Sequence, residues 1–338
     1  MNITENIKIS DLTTFRTGGN ARFFCEVFND EEIKSAIEFS REKNIPFFIF
    51  GNGSNLLFSD KDFDGILIKV SLKGIKIESE GVNFSIVSAS SGEAFDDLIN
   101  FSINNNLSGL ENLWNIPGTV GASVVQNIGA YGTEAKDFVV SVEGIDINTF
   151  EKHLFKNNEC CFGYRESVFK KNNNIVITKV YFKLNKNFIP NLKYSGLKEK
   201  FDNKKKITAK EVKIMVEKIR KEKLPDWKVL GTAGSFFKNP IVSADKYNEI
   251  KDKYPELPVF NIEGDFVKIP LGYVLDKICN LKGHRIGNAG FYDKQALVIV
   301  NYGNAKAEEI ISLLKLAEEK VFEKIGIKIE REVELIGF

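Results

Sequence analysis

The chain has 338 residues, is 43% hydrophobic and 28% charged, and carries a net charge of +1. Its size and composition predict a globular protein of two or three domains. The near-zero net charge argues against binding to nucleic acid or to an anionic membrane surface. The four cysteines and two histidines lack the spacing of metal ligands, so we expect no metal site. With no apolar signal segment, no membrane-spanning run and few thiols, we expect a cytoplasmic protein that does not bind a membrane.

The N-terminal part of the chain predicts a β-α-β lobe over residues 1–71. Its predicted elements are, in order, a helix over 30–44, a buried strand over 45–50, the loop G-N-G-S-N at 51–55, the short apolar segment 56–58 and a strand over 63–70. A Gly/Asn/Ser loop directly after a strand can offer backbone donors to phosphate. Such loops are also ordinary tight turns, so both readings stay open.

Residues 72–206 form a second predicted lobe that is rich in strands. Its predicted elements are, in order, a strand over 81–90, a helix over 92–107, a glycine-rich stretch over 109–132, and strands over 139–147 and 174–185. The glycine-rich stretch carries few long charged side chains. Its backbone can therefore lie close to a large flat ligand, to phosphate, or simply to other backbone.

The third predicted lobe covers residues 207–326 and is of α+β type. A charge run over 198–206, read as a solvated linker, precedes it. Thr208 and Glu211 form a capping box that begins a helix. The later predicted elements are helices near 245–254, 270–282 and 304–325, and a strand over 296–300. Alternating apolar and charged residues over 327–337 predict a half-buried final strand, which could return to the second lobe.

Three polar residues lie in settings that could support chemistry. Arg165 stands among aromatic residues, where a partly buried guanidinium needs an anionic partner, although a surface pair with the next glutamate explains it too. Ser235 lacks the surroundings of a hydrolytic nucleophile; it could donate a proton or be an ordinary turn hydroxyl. Glu332 lies on the acidic face of the last predicted strand and is by default a solvated carboxylate.

Taken in order, these segments resemble the family of UDP-N-acetylenolpyruvoylglucosamine reductases, type I branch. The motifs that carry the resemblance are T-F-R-T-G-G, G-N-G-S-N-L-L, L-E-N-L-W-N-I-P-G-T-V-G-A-S-V-V-Q-N-I-G-A-Y-G, F-G-Y-R-E-S-V-F, K-Y-S-G-L, G-T-A-G-S-F-F-K-N-P, Q-A-L-V-I-V-N and E-V-E-L-I-G. They span essentially the whole chain. No single motif is decisive, but the ordered series is specific.

The resemblance implies an α+β fold, with a two-lobed FAD-binding domain of the vanillyl-alcohol-oxidase (PCMH) type and a C-terminal α+β substrate-binding domain. It implies NADPH-dependent, FAD-mediated reduction of UDP-N-acetylglucosamine enolpyruvate to UDP-N-acetylmuramate in peptidoglycan synthesis, by a monomer. Some relatives in the wider fold tether FAD to His or Cys. Neither residue occurs in 51–55 or 109–132, so we expect non-covalent FAD.

In the implied reaction, NADPH reduces FAD, and a hydride passes from flavin N5 to the enolpyruvyl methylene carbon. By resemblance, Ser235 protonates the adjacent carbon, while Arg165 and Glu332 stabilise the anion. Because a bare carboxylate would repel that anion, Glu332 would have to be protonated or hydrogen-bonded. The implied cofactor-binding residues are Gly51, Asn52, Gly53, Ser54, Asn55, Leu56, Pro117, Gly118, Gly121, Ser123, Asn127, Gly129, Ala130, Tyr131 and Arg220. The implied substrate-binding residues are Tyr164, Tyr194, Lys223, Lys238, Asn239 and Gln295.

Two positions depart from the family pattern. Phe260 stands where relatives commonly carry Tyr, which puts a hydroxyl contact to the diphosphate in doubt. Glu334 stands where an Arg is common, so a positive charge near the flavin is missing or supplied elsewhere.

Two other functions remain open. A flavin oxidase of the same fold would have no reason to keep the Ser235 motif together with the terminal glutamate. A UDP-sugar-binding protein that had lost its flavin would show damage in 51–55 and 109–132, and none is visible.

Overall fold

The computed structural model describes residues 1–202, 206–262 and 264–338. The strands of this part of the chain are β1 (Ile3–Lys8), β2 (Asn20–Val27), β3 (Phe47–Phe50), β4 (Leu56–Phe58), β5 (Phe63–Val70), β6 (Ile75–Glu80), β7 (Phe84–Ser90), β8 (Gly129–Ala130), β9 (Thr133–Glu134), β10 (Val139–Asp146), β11 (Lys152–Lys156), β12 (Ile175–Asn185), β13 (Gly231–Ser235), β14 (Ile241–Ser243), β15 (Phe260–Asn261), β16 (Phe266–Lys268), β17 (Arg285–Ile286), β18 (Ala289–Tyr292), β19 (Gln295–Asn301) and β20 (Glu334–Ile336).

The α-helices of the same residues are α1 (Asp30–Glu42), α2 (Phe95–Asn104), α3 (Val120–Val125), α4 (Val168–Lys171), α5 (Ser195–Lys198), α6 (Ala209–Lys223), α7 (Ala244–Lys253), α8 (Leu271–Tyr273) and α9 (Ala307–Ile325). Short 3₁₀ helices cover Ile9–Asp11, Glu111–Leu113, Ala135–Asp137, Asn157–Cys160 and Glu199–Phe201, and a π-helical turn covers Val274–Ile278. Across the described ranges, no helix is both long enough and apolar enough to cross a bilayer.

The chain divides into two compact units. Unit 1 consists of Met1–Ile7, Ala21–Asn52 and Asp64–Arg220, and unit 2 consists of Lys8–Asn20, Gly53–Phe63 and Lys221–Phe338. Both units contain helices and strands, which confirms the predicted α+β class. One division point falls inside the predicted G-N-G-S-N loop, between Asn52 and Gly53.

The first sheet of unit 1 has the strand order β1-β2-β5-β3. Strands β3 and β5 run parallel, with Phe47 opposite Ile66, as the predicted β-α-β arrangement requires. Helix α1 begins at Asn29, whose side chain accepts a hydrogen bond from the Glu32 amide. Its apolar face belongs to the same buried cluster as β2 and β5, so burial of that face holds the helix on the sheet.

The second sheet of unit 1 is antiparallel, with the strand order β11-β10-β12-β7-β6. Helix α2 buries Leu98 and Ile99 in a cluster with Val180 and Phe182 of β12. Helix α3 of the glycine-rich stretch contributes Val120 to this cluster. The core of this sheet therefore fixes the position of the glycine-rich stretch.

Strand β2 was not among the predicted elements, although its sequence carries the signal. The burial along Asn20–Val27 alternates, with buried Ala21, Cys25 and Val27 separated by more exposed residues. A period of two is typical of a half-buried strand.

The charge run over 198–206 is only in part a linker. Residues 199–201 form a 3₁₀ helix, and Phe201 is buried in a small cluster with Val212 and Val216 of α6. Residues 203–205 of the run lie outside the described residues.

Unit 2 is built on the antiparallel sheet β13-β19-β18-β17. Its large buried cluster joins Phe236 and Phe291 to Leu313 and Val321 of α9. A three-stranded sheet, β14-β16-β15, belongs to the same unit. The burial of both faces of the segment after β13 anchors the region that carries Ser235.

The last predicted strand is shorter than expected. Only Glu334–Ile336 forms a strand, and it pairs in parallel with β4 in a two-stranded sheet, not with a strand of the predicted second lobe. Before it, the Glu332 amide donates to Phe236 O at 2.9 Å and the Lys238 amide donates to Glu330 O at 2.9 Å. The alternation of burial breaks at exposed Arg331, where the chain changes partner.

The capping box at the start of α6 generates a stability prediction. The Thr208 hydroxyl accepts from the Glu211 amide at 3.3 Å, and the Glu211 carboxylate accepts from the Thr208 amide at 3.0 Å. We expect Thr208→Ala to lower the free energy of unfolding by about 1 kcal/mol, because a helix amide loses its partner. Thr208→Ser keeps the hydroxyl and is the matched control. Equal losses in urea unfolding for both variants would contradict the capping role.

Candidate active site

The start of the 51–55 loop and the glycine-rich stretch meet within unit 1. A Cβ atom at Gly51 would lie 2.6 Å from Oγ1 of Thr119, a distance that side-chain atoms do not tolerate. Thr119 in turn caps α3 by accepting from the Ala122 amide at 3.3 Å. Glycine is therefore required at position 51 for the loop to lie against the stretch.

Several amides of the glycine-rich stretch are used inside the protein. The Val120 amide donates to Glu93 O and the Gly121 amide to Ser91 O, each at 2.9 Å. A Cβ atom at Gly121 would lie 2.8 Å from Cβ of Ser91. Close backbone packing, one of the two readings left open by the sequence, thus explains these positions.

Arg165 is held against the same stretch. Its guanidinium donates to Gly129 O at 2.6 Å and to Asn127 O at 3.5 Å, and lies 5.2 Å from the Tyr164 ring centroid. A Cβ atom at Gly129 would come within 2.9 Å of Nη1 of Arg165. The Arg165 backbone is left-handed, with φ of 56°, which few non-glycine residues adopt. This conformation and these contacts fix the direction of the guanidinium.

Two residues predicted to bind FAD have their side chains committed within the protein. Asn127 is fully buried, and its amide nitrogen donates to Gly163 O at 2.7 Å and to the Glu134 carboxylate at 3.1 Å. The Ser123 hydroxyl donates to Val120 O at 2.7 Å. Their side chains hold the backbone of the stretch and of the turn before Arg165, which spacing alone did not indicate.

A half-buried clamp on Asn115 was missed by the sequence analysis. The Asp96 carboxylate accepts from the Asn115 amide at 2.8 Å, and the Arg220 guanidinium donates to Asn115 O at 3.1 Å. Burial raises the pKa of Asp96 to about 6, against the opposing effects of the Asn115 amide and the Arg220 charge. An acidic residue in the first turn of a helix usually interacts only with the helix dipole, so no sequence signal indicates this role.

Arg220 also brings two predicted site tyrosines into its surroundings. Burial lowers the pKa of Arg220, while Tyr131, to which it is hydrogen-bonded, acts in the opposite direction. Burial raises the pKa of Tyr131. The Tyr131 and Tyr194 rings meet edge to face, with centroids 5.1 Å apart. Unit 1 thus groups Arg220, Tyr131 and Tyr194 beside the clamp on Asn115.

Ser235 lies at the end of β13 in unit 2, directly after a β-bulge. Thr232 pairs with Val300 but Ser235 pairs with Val298, so β13 holds one extra residue. Gly234 has a left-handed φ of 76°, which the bulge requires. Bulges redirect the next side chain, so this local geometry sets where the Ser235 hydroxyl points.

Glu332 is half-buried and lies beside the Ser235 segment. Its amide donates to O of Phe236, the residue after Ser235, at 2.9 Å. Its carbonyl oxygen accepts from Nδ2 of Asn55 at 3.0 Å. Unit 2 therefore brings Ser235, Glu332 and the second half of the 51–55 loop together.

The predicted substrate-binding residues divide between the units. Unit 1 holds Tyr164 and Tyr194, and unit 2 holds Lys223, Lys238, Asn239 and Gln295. Lys238 pairs with Glu330 at 3.0 Å, and its side chain is only 15% exposed. The Asn239 side-chain oxygen accepts from the Leu271 amide at 2.9 Å, which ties it to α8.

The other two predicted substrate-binding residues, Gln295 and Lys223, lie in different surroundings. The Gln295 side-chain oxygen accepts from the Leu297 amide at 3.2 Å, whereas Lys223 is exposed at the end of α6. Phe260, the first departure from the family pattern, is 44% exposed on β15. Glu334, the second, is exposed on β20. Among the described residues, no three His, Cys, Asp or Glu side chains are grouped to hold a metal ion.

Comparisons with known proteins agree with this arrangement. A family model for FAD binding domains matches residues 21–149, and one for the C-terminal domain of UDP-N-acetylenolpyruvoylglucosamine reductase matches residues 225–336. The UDP-N-acetylenolpyruvoylglucosamine reductase of Flavobacterium johnsoniae is 42% identical, over 99% of this chain and 100% of its own length. The chain belongs to the UDP-N-acetylenolpyruvoylglucosamine reductase family.

Other members of the family support the assignment over the full length. The Bacteroides fragilis reductase is 38% identical over 96% of this chain and 97% of its own. The crystal structure of the Thermus caldophilus reductase matches with a TM-score of 0.71 at 25% identity, covering 99% of both chains. The protein is an FAD-dependent oxidoreductase that acts at the reduction step of peptidoglycan synthesis. The family, the enzyme class and the FAD cofactor predicted from the sequence are thereby confirmed.

The residues of unit 1 fit FAD. The matched FAD domain contains Gly51, Asn52 and the glycine-rich stretch. Buried polar atoms there, Oγ of Ser91, Oδ1 of Asn112 and Nε1 of Trp114, have no hydrogen-bond partner among the described residues. Because buried polar atoms are nearly always paired, these suit a ligand that carries polar groups.

The half-buried Asp96 generates a pH prediction. Its folded pKa, about 6, lies above its ordinary value, so its proton stabilises the fold below pH 4, and this stabilisation is lost as the pH rises through 6. Relative to Asp96→Asn, which cannot titrate, the wild type should lose unfolding free energy between pH 4 and 6 and level off by pH 7. Urea unfolding across this range measures the difference. A difference that does not vary with pH would contradict the raised pKa.

Proposed function

We propose that the protein catalyses the NADPH-dependent reduction of UDP-N-acetylglucosamine enolpyruvate to UDP-N-acetylmuramate. The observation that carries the proposal is the hydrogen bond from the Glu332 amide to Phe236 O, which joins the Glu332 and Ser235 segments. The reaction adds a hydride and a proton across a carbon–carbon double bond, so it needs a proton donor beside groups that stabilise an anion. When bound, FAD supplies the hydride that it has received from NADPH.

Ser235 is proposed as the proton donor. Hydride addition at the methylene carbon leaves negative charge on the adjacent carbon and its carboxylate, and that carbon then takes a proton from Oγ of Ser235. The β-bulge and the burial of Phe236 and Phe237 at 0% and 1% exposure hold the Ser235 backbone rigidly. A rigid donor loses little entropy in reaching the reacting carbon.

Arg165 is proposed to bind the substrate carboxylate as its charge grows. A guanidinium can donate two parallel hydrogen bonds to a carboxylate, which Lys cannot do. Its contacts with the glycine-rich backbone orient it before substrate arrives. Loss of one such preorganised donor typically costs about 3–4 kcal/mol of barrier.

Glu332 is proposed to stabilise the anion, a role that requires its carboxyl group to be protonated or hydrogen-bonded. Its backbone is fixed on both sides, by Phe236 and by Asn55, so the carboxyl group works from a defined position. A protonated carboxyl group can donate to a developing anion, whereas the ionised form would repel it.

The other proposed contacts follow the predicted residues. We propose that the UDP-sugar contacts Tyr164, Tyr194, Lys223, Lys238, Asn239 and Gln295. The proposed FAD contacts are Gly51, Asn52, Gly53, Ser54, Asn55, Leu56, Pro117, Gly118, Gly121, Ser123, Asn127, Gly129, Ala130, Tyr131 and Arg220. The non-covalent mode of FAD binding, the cytoplasmic location and the monomeric state stay predictions, as do the three lobes at 1–71, 72–206 and 207–326.

The proposal is tested by separating the two half-reactions in a stopped-flow instrument. NADPH should bleach the yellow holoenzyme without oxygen, and UDP-N-acetylglucosamine enolpyruvate should restore the colour. Ser235→Ala should leave bleaching by NADPH unchanged and slow reoxidation by the enolpyruvate about 10²–10⁴-fold, because only the second step needs the proton.

Ser312→Ala, an exposed serine of α9, is the matched control and should alter neither step. Wild-type reduced flavin that reacts with oxygen but not with the enolpyruvate would indicate an oxidase and overturn the proposed function. Equal slowing of both steps in Ser235→Ala would overturn only the role of Ser235.

A further inference from the structure

Asn55 makes two hydrogen bonds that frame the residue Val333. Its side-chain amide donates to Glu332 O at 3.0 Å, and its carbonyl oxygen accepts from the Glu334 amide at 3.0 Å. Val333 between them is 3% exposed and belongs to the large core of unit 2. One residue of the 53–55 loop therefore holds the chain on both sides of a buried anchor.

The Glu332 backbone is fixed completely by this arrangement. Its amide donates to Phe236 O, and its carbonyl oxygen accepts from Asn55. Phe236 is itself fixed, because its amide donates to Leu297 O of β19 at 2.9 Å. The Glu332 backbone, which carries the carboxyl group, thus has one contact to the Ser235 segment and one to the loop.

The 53–55 loop, which carries Asn55, is anchored as well. The Thr14 amide donates to Gly53 O at 3.2 Å. A Cβ atom at Gly53 would come within 2.6 Å of Leu12 O, and its left-handed φ of 60° also favours glycine. The loop cannot drift without breaking this packing, so Asn55 offers its amide from a rigid base.

We propose that Asn55 is a positioning residue for Glu332, in addition to any contact with FAD. This inference rests on the proposed function, because it concerns the carboxyl group that acts on the substrate anion. Asn suits the position because its side chain carries an N–H donor and is long enough for that donor to reach Glu332 O. An Asp has the same shape but no N–H, and its charge would face the Glu332 carbonyl oxygen.

The proposal separates Asn55 from a residue that binds FAD alone. Loss of a pure FAD contact raises the FAD dissociation constant, and FAD saturation then restores both half-reactions. Loss of a positioning residue displaces the Glu332 carboxyl group, and displacements of about 1 Å can slow a step up to a hundredfold. Only the step that uses Glu332 should then slow.

The test uses FAD-saturated holoenzyme of Asn55→Asp and Asn55→Ala. We expect reoxidation by the enolpyruvate to slow about tenfold to a hundredfold more than reduction by NADPH does. In a Glu332→Gln background, Asn55→Asp should add little further loss, because both changes remove the same contribution. Asn248→Asp, at an exposed position of α7, controls for the added charge.

Amide hydrogen exchange of the holoenzyme provides a readout independent of activity. The amides of residues 331–336 should exchange faster in both Asn55 variants and at the wild-type rate in Asn248→Asp. Unchanged exchange there, equal slowing of both half-reactions, or full additivity with Glu332→Gln would each overturn the positioning role. Failure of the wild-type enzyme to react with the enolpyruvate would instead overturn the proposed function.

Discussion

Unit 2 depends on the absence of side chains where the segment 12–18 packs. A Cβ atom at either Gly53 or Gly231 would lie 2.6 Å from a carbonyl oxygen of this segment. Within it, Thr14 donates its amide to Gly53 O and its hydroxyl to Thr232 O, and accepts from the Thr232 amide. In the sequence, the motif T-F-R-T-G-G was evidence only of the family resemblance. In the structure, its first residue connects the 53–55 loop to the strand that leads to Ser235.

In unit 1, three residues of the candidate site have a left-handed backbone. Asn115, Tyr131 and Arg165 all have left-handed φ values, of 64°, 49° and 56°. Such conformations cost about 1–3 kcal/mol in non-glycine residues other than Asn and persist only where surrounding contacts fix them. The clamp from Asp96 and Arg220 on Asn115, and the carbonyl contacts of Arg165, are the contacts that do so. These backbone conformations therefore set the directions of a few polar side chains.

Periodicity and turn signals predicted only part of the regular elements, since β1, β2, β6 and β11 were not among them. Helix α1, the parallel pair β3 and β5, and the capping box of α6 follow from apolar spacing and local turn chemistry, which act over a few residues. The final strand was predicted too long, because alternation cannot show that Arg331 is where the chain changes from one partner to another. Partner choice depends on distant residues and is invisible to a local pattern.

The candidate site divides in the same way between what the sequence could and could not predict. Ordered motifs identified Arg165, Ser235 and Glu332 as candidates, but their roles remain proposals. The hydrogen bonds of the Asn127 and Ser123 side chains and the role of the half-buried Asp96 are visible only in the folded structure. Each belongs to a residue type that is common in loops and helix starts, so only its three-dimensional neighbours distinguish it.

The contact between Asn55 and Glu332 spans 277 residues of chain. Closing so long a loop costs conformational entropy that local elements do not face, and contacts of high sequence separation are typically slow to form. Strands β4 and β20 meet across the same interval, so neither can find its partner until most of unit 2 exists. We therefore expect helices α7 and α9 to gain structure early in folding and the Glu332 segment to reach its final position late.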